Sequence, residues 1–259
     1  FVAGQARAVI EALSGRPGLP VTAWQPEAMS GLKGRPTLLS NAETWAQVGA
    51  LAGLGVDGYR QLGTPREPGT TLLSLSASDD RVEVVEVAYG TPWADVLGGD
   101  ARRPALVGGY HGTWAAAGAL SSLAVSRADM RDAGLTLGAG VVVVPAPDEC
   151  PVAVTAAVTA YLAGESAGRC GPCFNGLPAL AAEVGALARC NTGASYSRIA
   201  ELAGIVTGRG ACAHPDGTAR LVRSMVTVFD DEVAAHLGGV CRVAESSSRP
   251  PSTAGARDD

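Results

Sequence analysis

Lysine is almost absent from this chain of 259 residues, in which Lys33 is the only one, and the formal net charge is −5. The chain carries no basic run, so it lacks the electrostatic footprint of a nucleic-acid-binding protein. Long apolar runs are also missing, since CPVAVTAAVTAYLAG (150–164) is shorter than a bilayer span. No signal-peptide pattern opens the chain. The sequence therefore predicts a cytoplasmic protein with no nucleic-acid partner and no direct membrane insertion.

Strand patterns concentrate in the middle of the chain. TTLLSLSA (70–77) and RVEVVEVAYG (81–90) predict strands, and the alternation of Val and Glu in the second predicts half-burial. PALVGGYHGTW (104–114) adds a strand and a glycine-rich turn. The valine run of LTLGAGVVVVP (135–145) fits an interior parallel strand. We therefore expect a small β-rich module over residues 68–118, followed by one further buried strand.

The chain on either side is helical. Residues 1–62 read as helix, loop and helix, with Asn41 and Thr44 near the start of the second helix. From Pro151 onward, apolar residues recur at helical spacing, which predicts a bundle with short connections. The four predicted helices are PVAVTAAVTAYLAGES, LPALAAEVGALARC, SYSRIAELAGIVTG and GTARLVRSMVTVFDDEVAAHL. The tail at 242–259 has the composition of a disordered segment.

The motif Cys-Gly-Pro-Cys lies within RCGPCFNG (169–176) and is compatible with three chemistries. It occurs in thioredoxins, C-x-x-C is half of many zinc sites, and the same spacing occurs in iron–sulfur proteins. A thioredoxin-type cysteine follows a strand, whereas the element before Cys170 is predicted to be a helix, and no Trp precedes it. The thiol oxidoreductase is therefore the least favoured of the three.

Further metal ligands are available downstream, in GRGACAHPDGTA (208–219). Cys212 and His214 could join Cys170 and Cys173 in a tetrahedral zinc site. Three cysteines could equally hold an iron–sulfur cluster. Spacing alone leaves both possibilities open. The other cysteines (Cys150, Cys190 and Cys241) are isolated in the sequence, and we interpret them as thiols without a ligand role.

These two cysteine segments, taken in order, resemble a known family. ESAGRCGPCFNGLPAL followed by GRGACAHPDGTA is similar to the iron–sulfur segment of the NADH-binding flavoprotein (the F subunit, 51 kDa-type) of complex I and of its relatives in hydrogenases and formate dehydrogenases. FVAGQARAVIEALSGRPGLP and GLKGRPTLLSNAETWAQV resemble segments farther upstream in that family. The resemblance extends from Phe1 to about Leu237. The glycine-rich phosphate loop of the family would precede Phe1, so we expect the chain to be truncated at its N-terminus.

The resemblance implies a multidomain fold of the α/β and α+β classes. The implied parts are the C-terminal part of an FMN-binding α/β domain (1–67), an inserted SLBB-like β-grasp module (68–118), a return segment of the FMN domain (119–148), an iron–sulfur-binding four-helix bundle (149–241) and the disordered tail (242–259).

The resemblance also implies the metal ligands. Cys170, Cys173 and Cys212 match three of the four cluster ligands of the family, and the fourth position is Ala167. Such a site would hold a 3Fe–4S cluster, or a 4Fe–4S cluster with water, a partner's side chain or His214 on the fourth iron. The three-residue spacing of 167, 170 and 173 predicts that these side chains share one helical pocket.

FMN contacts are implied in the N-terminal part. Phe1 and Gly4 match positions beside the isoalloxazine, and Asn41 and Thr44 match polar contacts to the ribityl and phosphate groups, with Ser40 where the family has Asn. The paired glutamates of the family are replaced here by Gln5 and Ala6. The resemblance therefore does not transfer NAD(H) binding to those two positions.

The implied function is electron transfer between FMN and an iron–sulfur cluster, in a subunit like those of NADH:quinone or NADH:acceptor oxidoreductases. Expected partners are other electron-transfer subunits or a ferredoxin, with a nicotinamide cofactor, at the periphery of a membrane complex. No residue is expected to act as an acid or a base. The alternative is a degenerate non-redox binding or scaffold module that holds a structural zinc (Cys170, Cys173, Cys212, His214) or no metal.

Overall fold

The computed structural model describes residues 1–22, 25–79 and 81–243. Over these ranges the chain forms five strands in one mixed sheet, together with nine α-helices. The strands are β1 (Thr70–Ser76), β2 (Val82–Ala88), β3 (Ala105–Val107), β4 (Thr113–Ala115) and β5 (Val141–Val143). The helices are α1 (Ala6–Leu13), α2 (Ala42–Tyr59), α3 (Trp93–Leu97), α4 (Arg127–Asp132), α5 (Pro151–Gly164), α6 (Leu177–Ala188), α7 (Tyr196–Val206), α8 (His214–Val228) and α9 (Asp230–Leu237).

The sheet has the order β2-β1-β5-β3-β4, so the last strand in the sequence lies at its centre. β5 runs parallel to β1 and antiparallel to β3. The predicted interior strand is confirmed, and it is parallel to its neighbour on one side only. Thr71, Leu73 and Leu75 alternate with more exposed residues along β1, because successive side chains of a strand face opposite sides of the sheet.

β2 forms the edge of the sheet and is more exposed than its pattern predicted. It pairs with β1 over its whole length, from Thr70 opposite Ala88 to Ser76 opposite Val82. Val82 and Val84 are nevertheless 78% and 66% exposed. Half-burial is therefore wrong for the first half of β2, because no layer of the described structure covers that part of the strand.

The C-terminal helices follow the predicted segments up to the last one. Pro151 begins α5, a position where its missing N–H costs no hydrogen bond. Ser195 caps α7 by accepting a hydrogen bond from the backbone N–H of Arg198. The predicted long helix from Gly217 is two helices, because the backbone leaves helical geometry at Phe229 (φ −120°, ψ 40°). Apolar residues of α5 to α8, such as Leu180 and Leu221, form one buried core.

Helix, loop and helix are present in the N-terminal part, as predicted. α2 has no buried residue, and Gly55 (φ 71°, ψ 172°) interrupts it. Trp45 and Leu54 are 48% and 63% exposed on this helix. The predicted disordered tail lies, from residue 244 onward, outside the described residues. None of the described helices is both long and apolar enough to cross a membrane.

Trp114 joins the sheet to the helices. It lies on β4, and its indole Nε1–H donates to Oγ1 of Thr155 on α5 at 2.9 Å. Its backbone N–H donates to Oγ of Ser224 on α8 at 3.0 Å. The ring also makes an edge-to-face contact with Phe229, with the centroids 5.1 Å apart. These contacts therefore hold the sheet against α5 and α8, two of the helices that adjoin the cysteine loops.

Candidate functional site

The Cys-Gly-Pro-Cys motif lies in the segment between the end of α5 and the start of α6. Cys170 closes an irregular loop, and Cys173 lies on a short π-helix, Pro172–Gly176, that continues into α6. The two sulfurs are 3.3 Å apart, and Cys173 is buried. Ala167 lies in the irregular loop, so the predicted shared helical pocket for positions 167, 170 and 173 is wrong. The loop, and not one regular helix, sets their arrangement.

Backbone N–H groups surround the Cys173 thiol. Burial acts to raise the pKa of Cys173, but hydrogen bonds from the backbone of Arg169, from the Cys170 thiol and from the backbone of Cys170 and Gly168 lower it overall. Gly168 has φ +59°, a left-handed conformation that suits glycine. Successive N–H groups that converge on one point favour a negative charge there. The loop therefore lowers the pKa of Cys173 and favours negative charge on its sulfur.

Cys212 reaches the same place from the loop between α7 and α8. Burial raises the pKa of this thiol, and the nearby charges of Cys173 and Cys170 act in the same direction. Gly210 allows the tight turn before it, since an added Cβ would lie 2.5 Å from the Cys212 carbonyl oxygen. The charges of Cys170 and Cys173 thus act on the Cys212 thiol, although among the described residues these three sulfurs do not form a group within 4.8 Å of one another. Their role as ligands stays a prediction.

His214 is buried, and both of its ring nitrogens are engaged. Nε2 lies 2.7 Å from the carbonyl oxygen of Leu162, which can only accept, so Nε2 carries the proton. Nδ1 therefore accepts a hydrogen bond from Nε2–H of His111 at 3.0 Å. The imidazole has no nitrogen left for a metal, and the alternative of a Cys170, Cys173, Cys212 and His214 zinc site is not favoured. The same holds for His214 as the ligand of a fourth iron.

His111, which no sequence pattern singled out, comes from the turn between β3 and β4. Burial first, and then the electrostatic effects of His214 and Arg220, lower the pKa of His111 to about 4. Burial also lowers the pKa of His214. The ring of Phe1 lies edge-on to His111, with centroids 4.7 Å apart, and stacks on His214 at 5.7 Å. Phe1 is therefore close to the loop of Cys212, and the adjoining Gly4 is exposed on a short 3₁₀ helix.

A pocket of 380 Å³ contains two of the five residues predicted to contact FMN. Asn41 and Thr44 line it at the start of α2, and Thr70 and Tyr59 lie across from them. Asn41 occupies the N-cap position of α2, but its side chain makes no capping hydrogen bond. Capping therefore does not account for Asn41. Phe1, Gly4 and Ser40 do not line this pocket, and flavin contacts by all five residues stay a prediction.

A second group of possible ligand atoms lies at the other end of α5. It consists of Cys150, Glu232, His236 and Cys241, whose atoms all lie within 4.8 Å of one another. Burial raises the pKa of the Cys150 thiol to about 12, and Cys241 adds to this effect. The sequence interpretation missed this group, because its members are far apart in the chain.

Known proteins resemble the chain over most of its length. The model of the NADH-ubiquinone oxidoreductase-F iron-sulfur binding region matches residues 153–236. The F subunit of NADH-quinone oxidoreductase from Mycobacterium tuberculosis (strain ATCC 25618 / H37Rv) is 28% identical over 254 residues, 93% of this chain and 56% of that protein. The NADP-reducing hydrogenase subunit HndC of Solidesulfovibrio fructosivorans is 27% identical, over 92% of this chain and 50% of that protein.

A solved structure shows the same fold. The crystal structure of an air-oxidized NAD+-reducing [NiFe]-hydrogenase matches with a TM-score of 0.78 and 27% identity, over 91% of this chain and 42% of that chain. The chain spans about half the length of the curated relatives that it matches. The cysteine loops, α6, α7 and α8 all lie within residues 153–236. Residues 153–236 match the iron–sulfur binding region of the F subunit, and the chain as a whole is similar to F subunits of NADH-quinone oxidoreductases and to hydrogenase subunits.

Proposed function

We propose that this chain is the electron-transfer part of an NADH dehydrogenase-like flavoprotein, with an iron–sulfur cluster held by Cys170, Cys173 and Cys212. The observation that carries the proposal is the Cys170 and Cys173 pair, whose sulfurs are 3.3 Å apart, with Cys212 on a second loop that the charges of the pair reach, all inside the region that matches the iron–sulfur family model. The cluster type, 3Fe–4S or 4Fe–4S, depends on what occupies the fourth position, near Ala167.

The residues present fit an iron–sulfur cluster. Thiolates are the usual ligands of such clusters, and hydrogen bonds to the sulfurs tune their reduction potential. The chain supplies three thiols, and the backbone N–H groups of Gly168, Arg169 and Cys170 converge on one of them. A bound cluster supplies one-electron transfer. The chain's own part is to hold the sulfurs, to limit access of water to buried Cys173 and to stabilise negative charge.

Contacts between the N-terminal segment and the cysteine loops support a role for FMN beside the cluster. Phe1 stacks on His214, two residues after Cys212. Gln5 lines a shared cavity with Gly210 and Ala211. Phe1, which the resemblance assigns to the isoalloxazine, thus lies beside the loop of Cys212. FMN, NAD(H) and partner subunits or a ferredoxin belong to this proposal.

The sheet order supports the proposed β-grasp module. β1 and β2 form a hairpin, β3 and β4 a second antiparallel pair, and β5 joins them as the central strand, parallel to β1. The two antiparallel pairs lie within the proposed module (68–118), and β5, from the proposed return segment of the FMN domain (119–148), adds to the same sheet. The helical region that follows, which we propose as the iron–sulfur bundle, consists of α5 to α8, with the short α9 beside α6 and α8.

The test of the proposal is the iron and sulfide content of the anaerobically purified chain. We expect Cys212→Ser to remove the visible iron–sulfur absorption and most of the bound iron and sulfide, because one of three ligands is lost. Cys190→Ser is the matched control, and it should keep the iron of the wild type. Full iron and sulfide in Cys212→Ser would contradict the proposal, as would a colourless wild type with zinc in place of iron.

A further inference from the structure

Four side chains with metal-binding atoms meet where α9 packs near the start of α5. Cys150 is the N-cap residue of α5. Glu232 and His236 lie one turn apart on α9, so they project from the same face of that helix. Cys241 follows after Gly239, whose φ of +87° turns the chain back. The four ligand atoms lie within 4.8 Å of one another.

The distances among three of these atoms are close to those of a tetrahedral metal site, although only one of the three falls within the expected range. Bonds of about 2.3 Å to sulfur and about 2.0–2.1 Å to nitrogen or oxygen place neighbouring ligand atoms about 3.4–3.8 Å apart. Here Nε2 of His236 lies 3.4 Å from Sγ of Cys150 and 3.2 Å from Oε1 of Glu232. Sγ of Cys150 lies 3.9 Å from the same Oε1.

Surrounding groups hold the ligands in the orientation that a metal needs. Nδ1 of His236 lies 2.9 Å from the carbonyl oxygen of Leu187, so Nδ1 carries a proton and donates it. This arrangement points the other nitrogen, Nε2, at the cluster, as in most histidine metal ligands. The backbone N–H of Arg242 donates to Oε1 of Glu232 at 3.0 Å and fixes that carboxylate.

Two of the four residues, Cys150 and His236, are buried, and Glu232 and Cys241 are half-buried. His236 is 0% exposed and Cys150 is 9% exposed. The side chain of Glu232 is 11% exposed. A buried carboxylate beside two thiols is costly unless a cation or a proton compensates its charge. Four protein ligands would leave no open position for a substrate, which is the pattern of structural zinc sites.

We infer that Cys150, Glu232, His236 and Cys241 bind one zinc ion, which fastens α9 and the chain after it to the start of α5. Two thiolates and one imidazole favour zinc over magnesium or calcium, which prefer oxygen ligands. On binding, the two thiols lose their protons to water, and four bonds to the metal form.

This site is distinct from the proposed iron–sulfur site. Cys150 precedes α5 and Cys170 follows it, and a helix of 14 residues is about 21 Å long. Cys150 and Cys241 both lie outside residues 153–236, the region that matches the iron–sulfur family model. The zinc site does not depend on the electron-transfer proposal.

The first test uses the full chain with Cys170, Cys173 and Cys212 changed to Ser, titrated with Co²⁺ alone. We expect one Co²⁺ per chain, with the sulfur-to-cobalt charge-transfer and visible bands of a tetrahedral site, and displacement by Zn²⁺. In this background, Cys150→Ser or His236→Gln should weaken binding by at least about 10-fold. Cys190→Ser is the matched control, because its sulfur lies 3.5 Å from the other ring nitrogen, Nδ1 of His236.

A second measurement covers the case in which the triple variant does not fold. Metal analysis of the anaerobically purified chain should find one zinc, which Cys150→Ser and Cys241→Ser lose while the iron content stays unchanged. No zinc in the wild type would overturn the inference, as would full zinc in both variants. A Cys150–Cys241 disulfide, seen as a loss of two protons by mass spectrometry of the intact chain, would also overturn it.

Discussion

At the residue scale, His111 and His214 form a neutral pair. Nε2–H of His111 donates to Nδ1 of His214, which in turn donates from Nε2–H to the Leu162 carbonyl. A protonated His111 would have to face His214 and Arg220, both of which disfavour a further positive charge. The hydrogen bond that connects the β3–β4 turn to α8 therefore needs an unprotonated Nδ1 on His214, and burial lowers the pKa of both rings.

The first prediction concerns the pH dependence of stability. The pKa of His111 is about 4 in the folded chain, below its ordinary value of 6.5, so between these pH values only the unfolded chain takes up the proton. The free energy of unfolding should therefore be highest above about pH 6.5 and fall as the pH falls towards about 4. Urea unfolding at about pH 7.5 and about pH 5 measures this fall.

The comparison variant is His111→Gln, whose amide can still donate to His214 but does not titrate. We expect its urea midpoint to fall less between the two pH values than that of the wild type. An equal fall in both chains would show that other groups cause the acid sensitivity.

The sequence could predict some of these residues and not others. Cys170 and Cys173 form a motif three residues apart. Cys212 lies in a short continuous segment that resembles the family by itself. Those three could therefore be selected from the sequence alone. Cys150 and Cys241 could not, because they meet only after α9 turns against the start of α5. The role of His111 could not be predicted either, since its partner His214 is 103 positions away in the chain.

At the scale of elements, Gly176 controls how closely the cysteine loop approaches α7. It is buried at the end of the π-helix that carries Cys173, and an added Cβ would lie 2.4 Å from Cγ1 of Val206. Val206 is itself fully buried on α7. A side chain at position 176 would therefore force the π-helix and α7 apart.

We expect Gly176→Ala to lower the free energy of unfolding by about 1–3 kcal/mol, because it overpacks this contact. Gly204→Ala is the matched control on α7. No described atom outside its own neighbours and helix backbone lies within 4 Å of a Cβ there. It should raise the free energy of unfolding by about 0.5–1 kcal/mol through helix propensity. Urea unfolding followed by circular dichroism measures both, and a loss of equal size in the two variants would contradict the close contact.

Element types were predictable where the spacing of apolar residues was regular, as in α5, α6 and α7. The break at Phe229 was not, because Val226, Phe229 and Val233 maintain helical spacing across it. The turn is set instead by tertiary contacts, including that of the Phe229 ring with Trp114. The exposure of Val82 and Val84 was also unpredictable, since the sequence of β2 does not say which strand forms the sheet edge.

At the scale of the whole molecule, two hydrophobic cores are joined through Trp114. One core lies around Leu73 and Trp93 in the sheet, and the other lies among the C-terminal helices and includes Leu106 and Trp114. Trp114 is 2% exposed and contacts α5, α8 and Phe229. Sheet and helices should therefore unfold together in the wild type.

Trp114→Ala should lower the free energy of unfolding by about 3–5 kcal/mol, because it leaves a large cavity and removes the indole donor from the Thr155 hydroxyl, which keeps its own bond to the Pro151 carbonyl. Trp45→Ala is the control, since Trp45 is 48% exposed on α2, and the change should be within about 0.5 kcal/mol. Circular dichroism and tryptophan fluorescence should report one common transition in the wild type. A small effect of Trp114→Ala would mean that the two cores are stable independently.

The central position of β5 has a consequence for the synthesis of the chain. A ribosome makes β1 and β2, then β3 and β4, and each antiparallel pair can form as its residues emerge. The two pairs join only through β5, where Ser74 pairs with Val141 and Leu106 with Val143. Until residue 143 has left the exit tunnel, both pairs keep an open edge that can bind another nascent chain. A pause in translation just before that point would prolong the most aggregation-prone interval in the synthesis of the sheet.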